Sequence, residues 1–255
     1  MGAVMREDSS AIVLMGGRGE RLAQILQGRA KALTPFCGYP FLELLLRKLH
    51  RDGFGDVVLV SDRPRRELDE LLAGRRDLGR PTVVYSQEGT APAVLAGLEA
   101  VTNTDIALCV NGDTILDAGY WSALEQHAHS SRPLTLLTST RDDVPNRGAV
   151  HLEANGSVAA FAEGPRGAEL ADHGRAVASR ESNCGAYVLD VSAVLTEMRA
   201  VPETSFEHET LPRLAQSGMV NGASVGSQLF LDFGTPERLD RASSLGDVMR
   251  EIYEL

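Results

Sequence analysis

Residues 11–22 read AIVLMGGRGERL, five apolar residues followed at once by a loop that contains three glycines. An apolar run without polar alternation is typical of a strand buried on both faces, as in a parallel sheet. Glycines let backbone N–H groups approach an anion closely, and Arg18 and Arg21 add fixed positive charge. The segment predicts a strand and a phosphate-binding loop, although a tight turn with solvent-facing arginines fits the same letters.

Two widespread glycine loops do not match this segment. The dinucleotide motif G-x-G-x-x-G would need a glycine where Leu22 stands, and the P-loop needs Gly-Lys followed by Ser or Thr, which the chain lacks. A hydride-transferring, NAD-dependent enzyme is therefore a poor fit.

Strand and helix patterns alternate through the first half and become mixed in the second. Apolar runs predict strands at 56–60, 82–85 and 106–110, and helical periodicity predicts helices at 40–51, 65–73 and 92–101. Later strands are predicted at 134–139, 148–152, 158–161 and 186–189, with a loop or lid over 164–180. We predict an α/β fold, a three-layer αβα sandwich with a mostly parallel central sheet and a mixed second half.

Composition narrows the class of partner. The 255-residue chain has a formal net charge of -10, which argues against nucleic acid or an anionic membrane as the main partner. The three cysteines show no C-x-x-C spacing, so neither a disulfide framework nor a zinc site is predicted, and a reducing cytoplasm is the expected location. Residues 1–9 are expected to form a flexible leader, and 10–255 a single domain.

Two aspartates follow predicted strands, where an open α/β sheet places its ligands. Asp113 closes the Asn-Gly-Asp turn after 106–110, and Asp232 stands in the segment Leu-Asp-Phe-Gly-Thr-Pro. Mg²⁺ commonly takes one or two protein carboxylates and fills its octahedron with water and phosphate oxygens. Lys31, one of two lysines, could stabilise charge on a phosphate in transfer. Taken singly, each residue has an ordinary surface or turn interpretation.

Glu207, His208 and Glu209 imitate a metal cluster in their spacing, but they precede a short helical pattern. We predict that they form the solvated polar start of that helix.

Eight ordered segments resemble the sugar nucleotidylyltransferases, a family with a Rossmann-like αβα sandwich. They cover nearly the whole chain: the glycine loop 16–22, Ala30-Lys31-Ala32 with Gly38-Tyr39-Pro40, Gln87 to Ala93, Asn111-Gly112-Asp113, Glu163-Gly164-Pro165 with the strand Asn183 to Tyr187, and Asp232 to Pro236. The resemblance implies a nucleotide-binding half at about 10–115 and a sugar-binding half at about 116–240.

The resemblance also implies roles for individual residues. Arg21 and Lys31 would be catalytic, on the β/γ-phosphates and the α-phosphate respectively, and Asp113 and Asp232 would hold Mg²⁺ or Mn²⁺. The residues implied for the nucleotide are Gly16, Gly17, Arg18, Gly19, Gln87, Glu88, Gly89, Thr90, Asn111 and Gly112. Those implied for the sugar are Glu163, Arg166, Asn183 and Gly185.

The implied partners are a nucleoside triphosphate and a sugar-1-phosphate, with no nucleic acid and no membrane. The chain looks most similar to heptose-1-phosphate guanylyltransferases, which favours GTP, while the other bases and hexoses stay open and a homodimer is the assembly that such relatives suggest. The product would serve carbohydrate or antibiotic biosynthesis. Departures at Glu20, Gly164 and Pro92 keep one alternative open, a nucleotide-sugar-binding relative without turnover.

Overall fold

The computed structural model describes residues 9–16, 31–62, 66–117, 119–140, 148–164, 170, 176–227, 230–232 and 237–240. Its strands are, in chain order, β1 (Ser10–Leu14), β2 (Pro35–Phe36), β3 (Tyr39–Pro40), β4 (Asp56–Ser61), β5 (Thr82–Tyr85), β6 (Ile106–Asn111), β7 (Thr114–Leu116), β8 (Leu134–Ser139), β9 (Ala149–Leu152), β10 (Val158–Ala162), β11 (Ser179–Asp190), β12 (Val220–Ser224) and β13 (Phe230–Asp232).

The α-helices of the same residues are α1 (Phe41–Arg51), α2 (Arg66–Leu72), α3 (Thr90–Ala100), α4 (Trp121–His129), α5 (Val191–Ala200) and α6 (Leu211–Gln216). Short 3-10 turns occupy Lys31–Leu33 and Arg76–Leu78, and a π-helical turn occupies Phe206–Thr210 directly before α6.

Four parallel strands form the first half of the main sheet, in the order β5-β4-β1-β6. Every residue of β1 is buried, because helices cover both faces. Ala11 and Val13 pack with residues of α1 and α4 on one face, and Ile12 and Leu14 pack with residues of α3, α5 and α6 on the other. The predicted three-layer sandwich is confirmed.

The second half of the sheet is organised by β11, a strand of twelve residues. Its final residues pair antiparallel with β6, its first residues pair antiparallel with β9, and β8 lies along its other edge. β10 extends the sheet beyond β9, and β12 runs parallel to β8. The predicted mixed second half is confirmed.

One predicted boundary was wrong. The loop or lid was placed over 164–180 with the sheet resuming at 186, whereas β11 already begins at Ser179. Residues 179–185 are mostly polar or small, so they carry no apolar strand pattern, and pairing with β9 and β8 makes them a strand.

A smaller two-stranded sheet of β7 and β13 lies beside the main sheet. The two strands are antiparallel, and Asp232 stands opposite Thr114 in their register. The pairing places β13 beside the turn that follows β6, although more than a hundred residues separate the two in the chain.

Candidate active site

The carboxyl ends of β1 and β6 meet at one edge of the main sheet. Leu14 pairs with Asn111 at the ends of these strands, and the Gly112 N–H donates to the Leu14 carbonyl at 2.8 Å. A Cβ on Gly112 would lie 2.8 Å from that carbonyl oxygen, so the close approach of the two backbones requires glycine. Gly16, which follows β1, therefore lies at the same edge as the Asn-Gly-Asp turn.

Lys31 and Asp113 are in contact at this edge. The Lys31 Nζ lies 3.3 Å from Asp113 Oδ2, and about a quarter of each side chain is exposed, at 26% and 22%. Eighty-two positions separate the two residues in the chain, so the contact comes from the fold. The arrangement places one ammonium and one carboxylate together, both open to a ligand.

Asp232 lies next to this pair through the β7–β13 register. It stands opposite Thr114, the residue that follows Asp113. Its carboxylate is largely buried and accepts a hydrogen bond from Arg238 Nη1 at 2.8 Å. The two aspartates predicted from the sequence as a metal pair thus stand at neighbouring positions of the fold, each with a cationic partner. The described residues hold no cluster of three or more His, Cys, Asp or Glu side chains suited to a metal.

Glu163 follows β10 and points into a buried position. Its Oε2 accepts no hydrogen bond and is buried. Burial and, next, the nearby charge of Glu207 raise the pKa of Glu163 to about 7, while a hydrogen bond from Asn183 and the charge of Arg238 lower it. A Cβ on Gly148 would overlap Glu163 Oε2, so the carboxyl fits only because residue 148 is glycine. A carboxyl with this pKa can donate or accept a hydrogen bond near neutral pH.

Asn183 and Gly185, predicted to bind sugar, form an irregularity in β11. The Gly185 N–H donates to Asn183 Oδ1 at 2.8 Å, and Asn183 Nδ2 donates to the Tyr187 hydroxyl at 3.1 Å. Gly185 has a φ of +66° where the register of β11 against β8 shifts, and a Cβ there would lie 2.9 Å from Asn111 Nδ2. These residues shape the strand so that it approaches Asn111.

Gln87, Glu88, Gly89 and Thr90, predicted to contact the nucleoside, connect β5 to α3. Gln87 lines a groove of about 510 Å³ between the end of β5, α3 and the chain after α5. Thr90 is the first residue of α3, two residues earlier than predicted, and Pro92 is tolerated in the first turn, where N–H groups have no helical partner. Lys31 and Asp113 do not line this groove.

Glu207 contacts the first residue of α3, and the sequence analysis did not predict this contact. Thr90 Oγ1 donates to Glu207 Oε2 at 2.6 Å and accepts from the Phe206 N–H at 2.8 Å. The expected solvated polar surface holds for His208 and Glu209, which are exposed, but is wrong for Glu207, which is half-buried. The partial burial of Glu207 could have been predicted from Phe206, a large apolar residue within a polar segment. When such a residue is buried, the residue next to it also lies close to the interior.

Five residues with predicted roles lie outside the described residues: Gly17, Arg18, Gly19, Arg21 and Arg166. Along the described part of the chain, no helix has the length and apolar character to cross a membrane.

The chain belongs to the nucleotidyl transferase family, whose profile matches residues 10–245. It is 28% identical over 236 residues to the mannose-1-phosphate guanylyltransferase catalytic subunit beta of Xenopus tropicalis, covering 89% of this chain and 61% of that protein. It is 27% identical over 247 residues to the mannose-1-phosphate guanylyltransferase of Mycobacterium tuberculosis, covering 95% and 65% respectively. The chain thus spans less than two thirds of the length of these relatives.

The fold matches the solved inositol-1-phosphate CTP transferase from T. maritima, with a TM-score of 0.77 at 21% identity. The match covers 100% of this chain and 98% of that one. This match shows that the two proteins share one fold over the whole of this chain.

Proposed function

We propose that the protein is a sugar-1-phosphate nucleotidylyltransferase, which transfers a nucleoside monophosphate from a triphosphate to a sugar-1-phosphate and releases pyrophosphate. The contact between Lys31 and Asp113, with Asp232 beside them, is the observation that carries the proposal. It joins a phosphate-seeking cation to two carboxylates at the ligand edge of an open α/β sheet. The relatives named above, guanylyl and cytidylyl transferases by name, support the same class of reaction.

Asp113 and Asp232 fit a divalent cation such as Mg²⁺ or Mn²⁺. They offer hard oxygen ligands from neighbouring positions, and a Mg²⁺ ion needs only one or two protein carboxylates when phosphate is present. Both already hold a cationic partner, Lys31 and Arg238, so this part of the site attracts positive charge. A metal bound there would neutralise charge on the phosphate oxygens during transfer.

The reaction needs positioning more than proton transfer. An oxygen of the sugar-1-phosphate forms a bond to the α-phosphorus, the bond from that phosphorus to the bridging oxygen breaks, and pyrophosphate leaves with those electrons. The attacking oxygen is already anionic, so no general base is required. Lys31 would stabilise the charge that builds at the α-phosphate. We assign the β- and γ-phosphates to Arg21 and the glycine loop at 16–19.

The remaining predicted residues would hold the nucleoside and the sugar. Gln87 to Gly89 lie on the loop before α3 and Thr90 is its first residue, and Glu163 and Asn183 both lie beside Gly148. Arg166 would meet the sugar phosphate in place of the lysine that the resemblance implies at Gly164. We favour GTP as the donor, because the guanylyltransferase relatives cover most of this chain. The enzyme would work in the cytoplasm, as a homodimer.

Pyrophosphate release tests the proposal. Five nucleoside triphosphates are screened with Mg²⁺ against hexose- and heptose-1-phosphates, with the Asp113→Ala variant, purified in the same way, as the measure of contaminating activity. We expect a signal that requires GTP together with one sugar phosphate. Triphosphate binding by calorimetry without pyrophosphate from any pair would overturn the proposal in favour of a binding-only protein.

A further inference from the structure

The turn that carries Glu207 is fixed by an unusual number of hydrogen bonds. Ser205 Oγ accepts from the His208 N–H at 3.1 Å, and Glu209 Oε2 accepts from the N–H groups of Thr204 and Ser205 at 2.7 and 2.9 Å. This reciprocal pattern resembles a helix capping box, with the acid one residue later than usual. Phe206 is fully buried, and its ring meets Tyr187 edge to face at a centroid distance of 5.1 Å. Glu207 therefore projects from a rigid support.

The carboxylate of Glu207 uses one oxygen within the protein and keeps the other open. Oε2 accepts from Thr90, and Oε1 accepts no hydrogen bond from any residue in the described part of the chain. The side chain is half-buried, yet Oε1 is not among the buried atoms that lack a partner, so it reaches solvent. One oxygen fixes the orientation, and the second is available to a ligand.

Glu207 lies near a residue predicted to bind sugar, because the preceding Phe206 packs against Tyr187 and the Tyr187 hydroxyl accepts a hydrogen bond from Asn183. After burial, its charge is the largest factor that raises the pKa of Glu163 and also that of Tyr187. Neither Glu163 nor Glu207 forms an ion pair with a described residue. Carboxyl groups that form no ion pair are poor ligands for phosphate and good acceptors for O–H groups.

A purely structural role does not account for the charge. Glutamine at 207 could accept the same hydrogen bond from Thr90 without placing a negative charge beside Glu163. Like charges in a partly buried site cost stability, and local conflicts of this kind are typical of functional sites.

We propose that Glu207 is a sugar-recognition residue, whose Oε1 accepts a hydrogen bond from a hydroxyl group of the acceptor sugar beside Glu163. The bond from Thr90 holds the carboxylate in the orientation that this contact needs. The inference rests on the proposed nucleotidylyltransferase function and names the residue that helps to choose its sugar.

The test compares Glu207→Ala with Thr90→Val, which removes the hydrogen bonds that the Thr90 hydroxyl makes with Glu207 and with the Phe206 N–H but leaves the carboxylate. We expect E207A to raise the KM for the sugar-1-phosphate about 10- to 100-fold, the effect of losing one hydrogen bond to a charged group, with the KM for the triphosphate changed less than about twofold. T90V should produce the smaller change in the sugar KM. If both variants raise the triphosphate KM equally and spare the sugar KM, Glu207 only holds the nucleoside loop and the proposal is wrong.

Deoxy analogues of the sugar phosphate sharpen the test. With the wild-type protein, the analogue that lacks the recognised hydroxyl should have a KM raised by the same factor by which E207A raises the KM for the full sugar. With E207A, this analogue should show no further increase in KM. Glu207→Gln provides a second variant if E207A does not fold, and it should show the same coupling at reduced size. Coupling at no hydroxyl position would overturn the assignment.

Failure of the proposed function would be recognised separately. If wild type releases no pyrophosphate with any pair, that proposal fails, and calorimetric binding of the sugar-1-phosphate to wild type and E207A then decides the inference. An equal Kd for both proteins would count against Glu207, and a Kd raised about 10-fold or more in E207A would support it.

Discussion

Two pairs of carboxyl groups line the same edge of the sheet, and they differ in what surrounds them. Asp113 and Asp232 each lie within ion-pair distance of a cation, 3.3 Å from Lys31 and 2.8 Å from Arg238. Glu163 and Glu207 lie near each other, and among the described residues they form no ion pair. The first pair is suited to positive charge and phosphate, and the second to neutral hydroxyl groups. The contrast divides the site into a phosphate side and a sugar side.

Of the predicted effects, the largest should be the loss of turnover on removal of Asp113 from the phosphate side. We expect Asp113→Ala to lower metal-dependent turnover by roughly 10³-fold or more, because a bound metal contributes several kcal/mol of charge stabilisation in the transition state. Pyrophosphate release across a Mg²⁺ titration measures the loss. Asp117→Ala removes an exposed carboxylate four residues further on and should keep wild-type activity. Full activity in D113A would remove Asp113 from the metal site.

Lys31 should show a smaller effect of a different kind. We expect Lys31→Ala to lower kcat by about 10²-fold while raising the triphosphate KM much less, because its charge is needed most when the α-phosphate carries extra negative charge. Steady-state kinetics with the triphosphate varied separates the two parameters. Lys31→Arg keeps the charge but not the compact ammonium and should recover only part of kcat. A raised KM with unchanged kcat would instead assign Lys31 to ground-state binding.

The parallel half of the fold could be predicted closely from the sequence. β5 has the predicted bounds, and β4 and β6 extend one residue further than predicted. Strands buried on both faces leave continuous apolar runs, and the helices between them keep a helical period. The polar first half of β11 could not be found in this way, because its pairing with β9 depends on chain brought from elsewhere in the fold.

The same distinction between local pattern and long-range contact applies to the candidate site. Lys31 and Asp113 could be predicted as candidates because each stands in a short motif, and the fold places them in contact. Glu207 could not, because its partner Thr90 is 117 residues away in the chain. The sequence around Glu207 has the pattern of a polar helix start. Only the hydrogen bond from Thr90 shows that the Glu207 carboxylate points toward the interior. Sequence patterns predict what a residue can do, and long-range packing decides which residues meet.

The smallest predicted effect concerns the sugar side and the stability of the fold. Because burial and the charge of Glu207 raise the pKa of Glu163 to about 7, the folded protein binds a proton there that the unfolded chain releases near its usual pKa of 4.5. Folding stability from this group therefore falls as pH rises between these two values. Glu163→Gln removes the titration, so we expect it to raise the Tm relative to wild type more at pH 8 than at pH 5.

The expected difference between the two pH values is about 2 kcal/mol after allowance for partial exposure, or about 5 °C in Tm. Calorimetric scans of both proteins without nucleotide or metal measure it. Asp117→Asn, at an exposed position, should give the same small change at both pH values. A Tm difference between E163Q and wild type that is equal at pH 5 and pH 8 would mean that Glu163 is ionised in the folded protein throughout this range. The sugar side would then carry two full negative charges, and it would differ from the phosphate side only in that its carboxylates form no ion pair with a described residue.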